Sequence, residues 1–525
     1  MEHRLIIKEM TPMKPTKCRM TRPSRRGVLA ALLLLAGNLL FFLTIWMATK
    51  YDKVTLDQFV YQMKSSAVGA NSDLINSAAV RVGLFGVALT ALELLLYRLC
   101  AGEVRQNLCR YRTYIRLRSS GFARFVTRRA LALTLAVLIF SMGLFTVKLN
   151  LIRFVSASTT ESEFIEDHYV DPSLATLTFP EEKRNLVYIF LESMETTFGE
   201  PEAGGSIYDD FIPELTQLAR ENVNFSNDSG VGGALSFSGT TWTAAALVTQ
   251  TSGINVQVPL DAEYFGGENG YMPGLVSIGQ ILQEQGYNQT LLVGSDAEFG
   301  SRDAYFTQHG NYNIVDMKTL KERGWLPVDY QVWWGFEDAK LFATAKLELS
   351  ALAAQGEPFN FTMLTCDTHF PDGYHCQECR DEYPEQYPTV ARCSSRMVYE
   401  FIRWIQAQPF YENTTIVISG DHLTMDPDFM KEVDENYVRT VYNCIINAPL
   451  EPVHEKNREF GTFDLFPTTL AALGVRIEGD RLGLGTNLFS DKQTLCEMYG
   501  FEVLDWELQK RSEFYNKRFL GFDEE

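Results

Sequence analysis

The run Thr414-Thr-Ile-Val-Ile-Ser-Gly420 stops on Asp421-His422, and its reading decides the fold. β-Branched residues suit a pleated, buried surface, and a short apolar run ending in a turn signal reads as an interior strand. Open α/β sheets bind ligands outside the carboxyl ends of their strands, where this carboxylate and imidazole would stand. The same grammar occurs earlier, where Asn185-Leu-Val-Tyr-Ile-Phe-Leu191 ends on Glu192. Two strands ending on hard oxygen and nitrogen ligands suggest one divalent metal held between them. Read alone, Gly420-Asp421-His422 is equally consistent with a plain turn.

Working outward, three long runs carry almost no charge: residues 27–49, 82–99 and 130–149, the middle one interrupted by Glu93 and Arg98. Each approaches the length that crosses a hydrocarbon core of ~30 Å. Residues 1–26 hold eight Lys/Arg, and residues 101–129 hold eight Arg against Glu103. In the 50–79 segment Lys50, Lys53 and Lys64 are balanced by Asp52, Asp57 and Asp73. Basic excess marks the cytoplasmic side, so the amino terminus is expected inside and everything after residue 150 outside. The expected organisation is a cytoplasmic basic tail (1–26), a three-span membrane region (27–150), a polar connector (151–182), an extracytoplasmic domain (183–490) and a helical tail (491–525).

The net charge of −19 hides an asymmetry, because beyond residue 129 there are 26 basic against 59 acidic residues. A domain this acidic argues against nucleic acid as partner. Six cysteines, Cys366, Cys376, Cys379, Cys393, Cys444 and Cys496, fall in the outer part. Cys376-x-x-Cys379 with Cys393 offers three ligands of a zinc site but no fourth, so a disulfide-stapled surface loop is expected.

Strand-like runs at 186–191, 290–293, 359–365, 415–419 and 442–446 alternate with helix-period segments at 212–220, 275–285, 338–354 and 395–408. That alternation predicts a mostly parallel sheet sandwiched by helices. Residues 504–522 read as one amphipathic helix.

Further residues carry chemistry. In Gly239-Thr240-Thr241-Trp242-Thr243 a hydroxyl precedes the helix-prone Ala244-Ala-Ala-Leu-Val. At a helix amino terminus it could hold or attack a phosphate, or simply cap the helix. His369, in Asp367-Thr-His-Phe-Pro-Asp-Gly373, follows a strand and could bind a substrate oxygen or move a proton. Arg302 has a guanidinium suited to gripping phosphate oxygens in pairs. No Asp-x-x-x-His or His-x-x-x-His pair offers a second zinc site, so one metal with mainly oxygen ligands fits, Mn²⁺ or Mg²⁺, with Zn²⁺ as an alternative.

Leu191-Glu-Ser193, a Thr before a helix, Ser419-Gly-Asp-His422 and Asp464-Leu-Phe-Pro-Thr-Thr-Leu-Ala-Ala-Leu-Gly474 together resemble the alkaline phosphatase/sulfatase superfamily over roughly residues 180–490. With three spans ahead, the chain is most similar to the lipoteichoic acid synthase-like branch and its phosphoglycerol transferases. The resemblance implies Glu192, Asp421, His422 and the nucleophilic Thr as ligands of one divalent metal, Mn²⁺ foremost. Counting ten residues back from Gly253, as in sulfatases, gives Thr243 as nucleophile; aligning Gly239 to the Gly-Lys-Thr of lipoteichoic acid synthase gives Thr241. Arg302 and His369 would match the residues that grip phosphoglycerol. No Cys/Ser-x-Pro-x-Arg motif stands near residue 243, which disfavours a formylglycine sulfatase, and Gly300 replaces the Trp expected two residues before Arg302. The implied activity moves glycerol phosphate from phosphatidylglycerol, through a covalent threonine intermediate, to an envelope glycan or polyglycerolphosphate acceptor. A phosphoethanolamine transferase, a sulfatase-type hydrolase and a non-catalytic envelope scaffold are the alternatives.

Overall fold

The computed structural model describes residues 25–521 apart from 53–54, 67, 69–71, 101–105, 109–110, 114–124, 127, 260–264, 266–269 and 334. Residues 1–24 of the expected basic tail and most of the 101–129 segment therefore lie outside the described residues. The chain divides into two compact units, residues 1–49 with 72–151 and residues 50–71 with 152–525.

The first unit carries three helices long and apolar enough to cross a membrane: α1 (Arg25–Lys50), α2 (Leu74–Arg98) and α3 (Ala130–Lys148). The middle one begins before the expected run and includes a π-helical stretch, Ala79–Leu84. Glu93, which interrupts that run in the sequence, accepts a hydrogen bond of 2.6 Å from Asn38 Nδ2 of α1, which also donates to Thr90. A carboxylate at this depth is costly unless it is paired, and the pairing explains how the helix carries it.

The second unit is built on a seven-stranded sheet. Its strands are β1 (Asn185–Leu191), β2 (Gly233–Ala234), β3 (Asn288–Val293), β4 (Asn313–Val315), β5 (Phe359–Leu364), β6 (Thr414–Gly420) and β7 (Val441–Ile446). Their order is β2-β7-β6-β1-β5-β3-β4. The five strands from β6 to β4 run parallel, and β7 and β2 add antiparallel pairs at one edge. Both faces are covered, which is why the strands read as unbroken apolar runs. In β1, Leu186, Tyr188 and Phe190 enter one core, while Val187, Ile189 and Leu191 enter the other. Each such side chain contributes about 1.5–3 kcal/mol when fully buried. A one-residue slip of β1 would exchange the two sets, so the register is firmly held.

Helices that matter for the site are α4 (Thr243–Ser252), α5 (Asp338–Ala353) and α6 (Gln386–Gln406). The last starts nine residues before the expected 395, with Pro388 in its first turn, where a missing N–H costs nothing. Three expectations need correction. The 504–522 segment is two helices, Phe501–Gln509 and Glu513–Leu520, because Arg511 N–H leaves the helical path to donate to Ala157 and Thr160 carbonyls and Ser512 caps the second helix. The 151–182 segment is not a bare connector: it holds the helices Leu151–Thr159 and Phe164–His168 and a strand, Leu177–Thr178, paired with Arg476–Ile477. Residues 50–71, expected with the membrane region, group with the second unit.

Candidate active site

Register delivers the first two groups. β1 and β6 are parallel with Leu191 opposite Gly420, so the next residues, Glu192 and Asp421, leave the sheet side by side. On the other flank β5 pairs Leu364 with Phe190, which sets Thr365 beside Glu192. Thr365 Oγ1 accepts from Glu192 N–H at 2.9 Å, and Thr368 Oγ1 donates to the Glu192 carbonyl. Asp421 Oδ1 accepts from the N–H groups of Ser193 and His422, both at 2.7 Å. Ser193 takes a φ of +53°, unusual for a residue with a Cβ, to turn the chain there.

His422 is oriented from behind. Its Nδ1 donates to the Leu423 carbonyl at 2.8 Å, which leaves Nε2 facing the carboxylates. Nε2 stands 3.5 Å from Glu192 Oε1 and 3.4 Å from Asp421 Oδ2. All three side chains are buried.

Thr243 opens α4 and brings Oγ1 to 3.3 Å from Glu192 Oε2 and 3.2 Å from His422 Nε2. The helix is fixed two turns further on, where Gln250 Nε2 donates to the carbonyls of Gly420 and Asp421. Gly253 closes it in the left-handed region, φ +74°. The other two threonines stand differently: Thr240 Oγ1 donates to Phe237 in a turn, and Thr241 Oγ1 is buried with no hydrogen bond to the carboxylates or the imidazole among the described residues.

Electrostatics and donors fit a cation. Burial, with Glu192 alongside, pushes the Asp421 carboxyl up to about 7. Burial pulls His422 down, but Asp421 and Glu192 outweigh it and hold the imidazole above its usual range. Asp421 Oδ2 is buried without a hydrogen-bond donor among the described residues. A buried carboxylate oxygen facing a second carboxylate and a ring nitrogen is a donor set that could hold a divalent metal.

The two other expected residues lie nearby. Arg302 is buried close enough to feel the Glu192 charge, with Nε donating to Phe299 and Nη2 to Ser295 Oγ and the Asp296 carbonyl. His369 donates from Nδ1 to the Phe370 carbonyl at 2.6 Å, and burial lowers its pKa. Its ring lies among Phe370 and Trp333, in the field of Glu192, His422 and Arg302.

Sequence reading missed the supports. Glu195 is buried and binds Arg439 through both oxygens, at 2.6 and 2.8 Å, while accepting from Thr424 N–H and Thr197 Oγ1. It therefore ties the loop bearing Glu192 to the loop bearing His422. Glu192-Ser-Met-Glu195 carried a hint, a second carboxylate just past a strand end, but its partner lies 244 residues away. The segment after α1 packs behind the threonine turn: the Tyr61 ring lies tilted against Trp242, and its hydroxyl donates to the Gly300 carbonyl at 2.7 Å. The expected disulfide staple is not formed in this structure, where Cys376, Cys379 and Cys393 are gathered as three thiols.

The chain is 30% identical over 340 residues to phosphoglycerol transferase I of Salmonella choleraesuis, an alignment that takes in 63% of this chain and 42% of that protein. It thus spans less than half the length of the curated relatives it matches. Among solved structures it is similar to lipooligosaccharide phosphoethanolamine transferase A (EptA) of Neisseria meningitidis, with 12% identity, a TM-score of 0.50 and coverage of 85% of this chain and 84% of that one. At that identity the likeness concerns the fold alone. The lipoteichoic acid synthase LtaP of Listeria monocytogenes aligns at 17% identity and a TM-score of 0.48 over 62% of this chain and 80% of its own. The model of the sulfatase family matches residues 184–475, the span that contains every strand of the sheet and every group gathered at its edge. With more than half of its length so matched, the chain belongs to the sulfatase family.

Proposed function

We propose that the chain is a membrane-anchored, metal-dependent phosphoglycerol transferase with Thr243 as its nucleophile. The observation that carries this reading is the convergence of Thr243 Oγ1 with Glu192 and His422 at 3.3 and 3.2 Å. Glu192, Asp421, His422 and Thr243 would hold one divalent cation, Mn²⁺ foremost. When bound, that ion lowers the pKa of the coordinated hydroxyl and neutralises charge on the transferring phosphoryl group. Thr243 Oγ1, whose hydrogen points to Glu192, attacks phosphorus of a phosphatidylglycerol head group. The Oγ–P bond forms as the bond from phosphorus to the diacylglycerol oxygen breaks, and the proton that Thr243 gives up ends on that oxygen, leaving glycerophospho-threonine and free diacylglycerol. Arg302 and His369 bind the phosphoglycerol oxygens. An acceptor hydroxyl, on an envelope glycan or a polyglycerolphosphate chain, then displaces Thr243 and frees it.

The head group follows the name of the curated relatives, phosphoglycerol transferase I. The basic flanks of the membrane helices support an orientation with the amino terminus in the cytoplasm and residues 152–525 outside, where lipid donor and envelope acceptor meet. Thr243 stands where a formylglycine precursor would, and threonine is not one, which favours phosphoryl transfer over sulfate hydrolysis.

Mass spectrometry after exposure to phosphatidylglycerol tests the scheme. The expected result is a glycerophosphoryl adduct on the 243 peptide, absent from Thr243→Ala and present in Thr241→Ala. An adduct on residue 241 moves the nucleophile, adduct formation with phosphatidylethanolamine alone changes the donor, and full transfer by both variants overturns the mechanism.

A further inference from the structure

Outside the candidate active site, the loop after His369 gathers three sulfurs. Cys376 Sγ stands 3.7 Å from Cys379 Sγ and 4.0 Å from Cys393 Sγ, and one ligand atom from each residue lies within 4.8 Å of the others. Tetrahedral zinc with Zn–S bonds of ~2.3 Å holds its thiolates about 3.8 Å apart, the edge of that tetrahedron. A disulfide would join two sulfurs and leave the third crowded against them.

Cys376-Gln-Glu-Cys379 forms a tight turn, with Cys379 N–H donating to the Cys376 carbonyl at 3.1 Å. Arg396 Nη2 donates to Cys393 Sγ at 3.4 Å, and Arg396 also donates to the Glu378 carbonyl. Donors aimed at sulfur are the outer shell that a cysteine-bound metal ordinarily has. Cys376 and Cys393 are buried while Cys379 is partly open, so an ion has an entry. No fourth His, Cys, Asp or Glu atom joins the group among the described residues.

We infer that Cys376, Cys379 and Cys393 form a zinc site, three thiolates with water at the fourth vertex. The choice of metal follows from ligand softness: thiolates select zinc, whereas the oxygen-rich set around Asp421 does not. Cys376 and Cys379 sit on the irregular stretch between β5 and α6, and Cys393 sits on α6 itself. The ion fastens that stretch, which begins at His369, to a helix of the main body. It is a site separate from Glu192, Asp421 and His422, and it stands or falls independently of the proposed transferase activity.

The test uses the full chain purified in detergent without chelator and supplied with zinc. Zinc X-ray absorption is expected to show sulfur neighbours at about 2.3 Å. That signal should persist in Asp421→Asn and lose one sulfur in Cys379→Ser. Peptide mapping of the wild type supplies a readout that needs no variant: zinc should protect the three thiols from iodoacetamide until a chelator is added. Zinc with only oxygen and nitrogen neighbours overturns the proposal. So do two of the three cysteines that alkylate only after reduction, which is the disulfide, and three thiols that alkylate equally with and without zinc.

Discussion

Glu195→Gln is the perturbation that best separates a held active site from a merely assembled one. Glu195 is fully buried, and the Arg439 side chain is 9% exposed, so solvent screens the pair little. At 2.6 Å and an effective dielectric of 20 the gross attraction is about 6 kcal/mol. Desolvation offsets much of it, and breaking a buried pair by removing one partner costs about 3–5 kcal/mol because the other charge stays buried. Glutamine keeps the shape and can still accept from Thr424 N–H. Arg439 also retains Asp52, with Oδ2 at 3.4 Å from Nη1, which places the expected loss near the lower end, about 3 kcal/mol. Chemical denaturation of the detergent-solubilised chain, followed by tryptophan fluorescence, measures it. Arg439→Met made alongside Glu195→Gln should recover much of the loss, since both members of the buried pair are then neutral and Asp52, which loses Arg439, keeps 24% of its side chain in water. A loss under about 1 kcal/mol, or a double variant no better than the single one, refutes the claim that this pair joins the loops bearing Glu192 and His422.

Two further outcomes follow from backbone and burial. Gly253→Ala should destabilise by about 1–2 kcal/mol, because φ is +74° and a Cβ would stand 2.8 Å from Phe466 Cδ1; the same denaturation assay checks it. Burial keeps the His309 imidazole below its usual pKa while Nε2 donates to the Tyr271 carbonyl at 2.7 Å. The unfolded chain takes up that proton below about pH 6.5 and the native chain does not, so stability is present above this pH and lost as pH falls through the window beneath it. Denaturation midpoints at pH 7.5 and 5.5 should differ less in His309→Gln than in the wild type, and equal differences would reject the assignment.

The four inner parallel strands were legible because they are buried on both faces and read as apolar runs cut off where polar residues begin, whereas the short edge strand β4, with Asn313 exposed, was not foreseen. The same cut-offs made Glu192 and Asp421 visible, and β1–β6 register turns two separate strand ends into neighbours. Thr243 was named by counting back from Gly253, a spacing that the sulfatase resemblance supplied, and it stands first in the helix that Gly253 closes. Much of what sequence did not show is non-local. The break after Gln509 depends on Ala157 and Thr160 accepting from Arg511, and Tyr61 is buried by Trp242 and Tyr271 rather than by its own helix. Proline cues hid the start of α6, since Pro388 is tolerated only because it falls in the first turn.

This division has a chemical logic. Groups that would meet substrate sit at strand and helix ends, where the backbone's own punctuation exposes them in one dimension. Groups that hold those ends together must reach between elements, and Glu195 with Arg439 does so across 244 residues. Arg302 belongs to both classes. Expected as a phosphate grip, it spends Nε and Nη2 on the Phe299 and Asp296 carbonyls and Ser295 Oγ, so it also braces the turn on which it stands. Arg302→Lys keeps the charge but not the fork, and a lysine cannot make these three bonds from one planar group. If bracing dominates, that substitution lowers stability along with transfer; if gripping dominates, it raises the donor concentration needed while the denaturation midpoint holds.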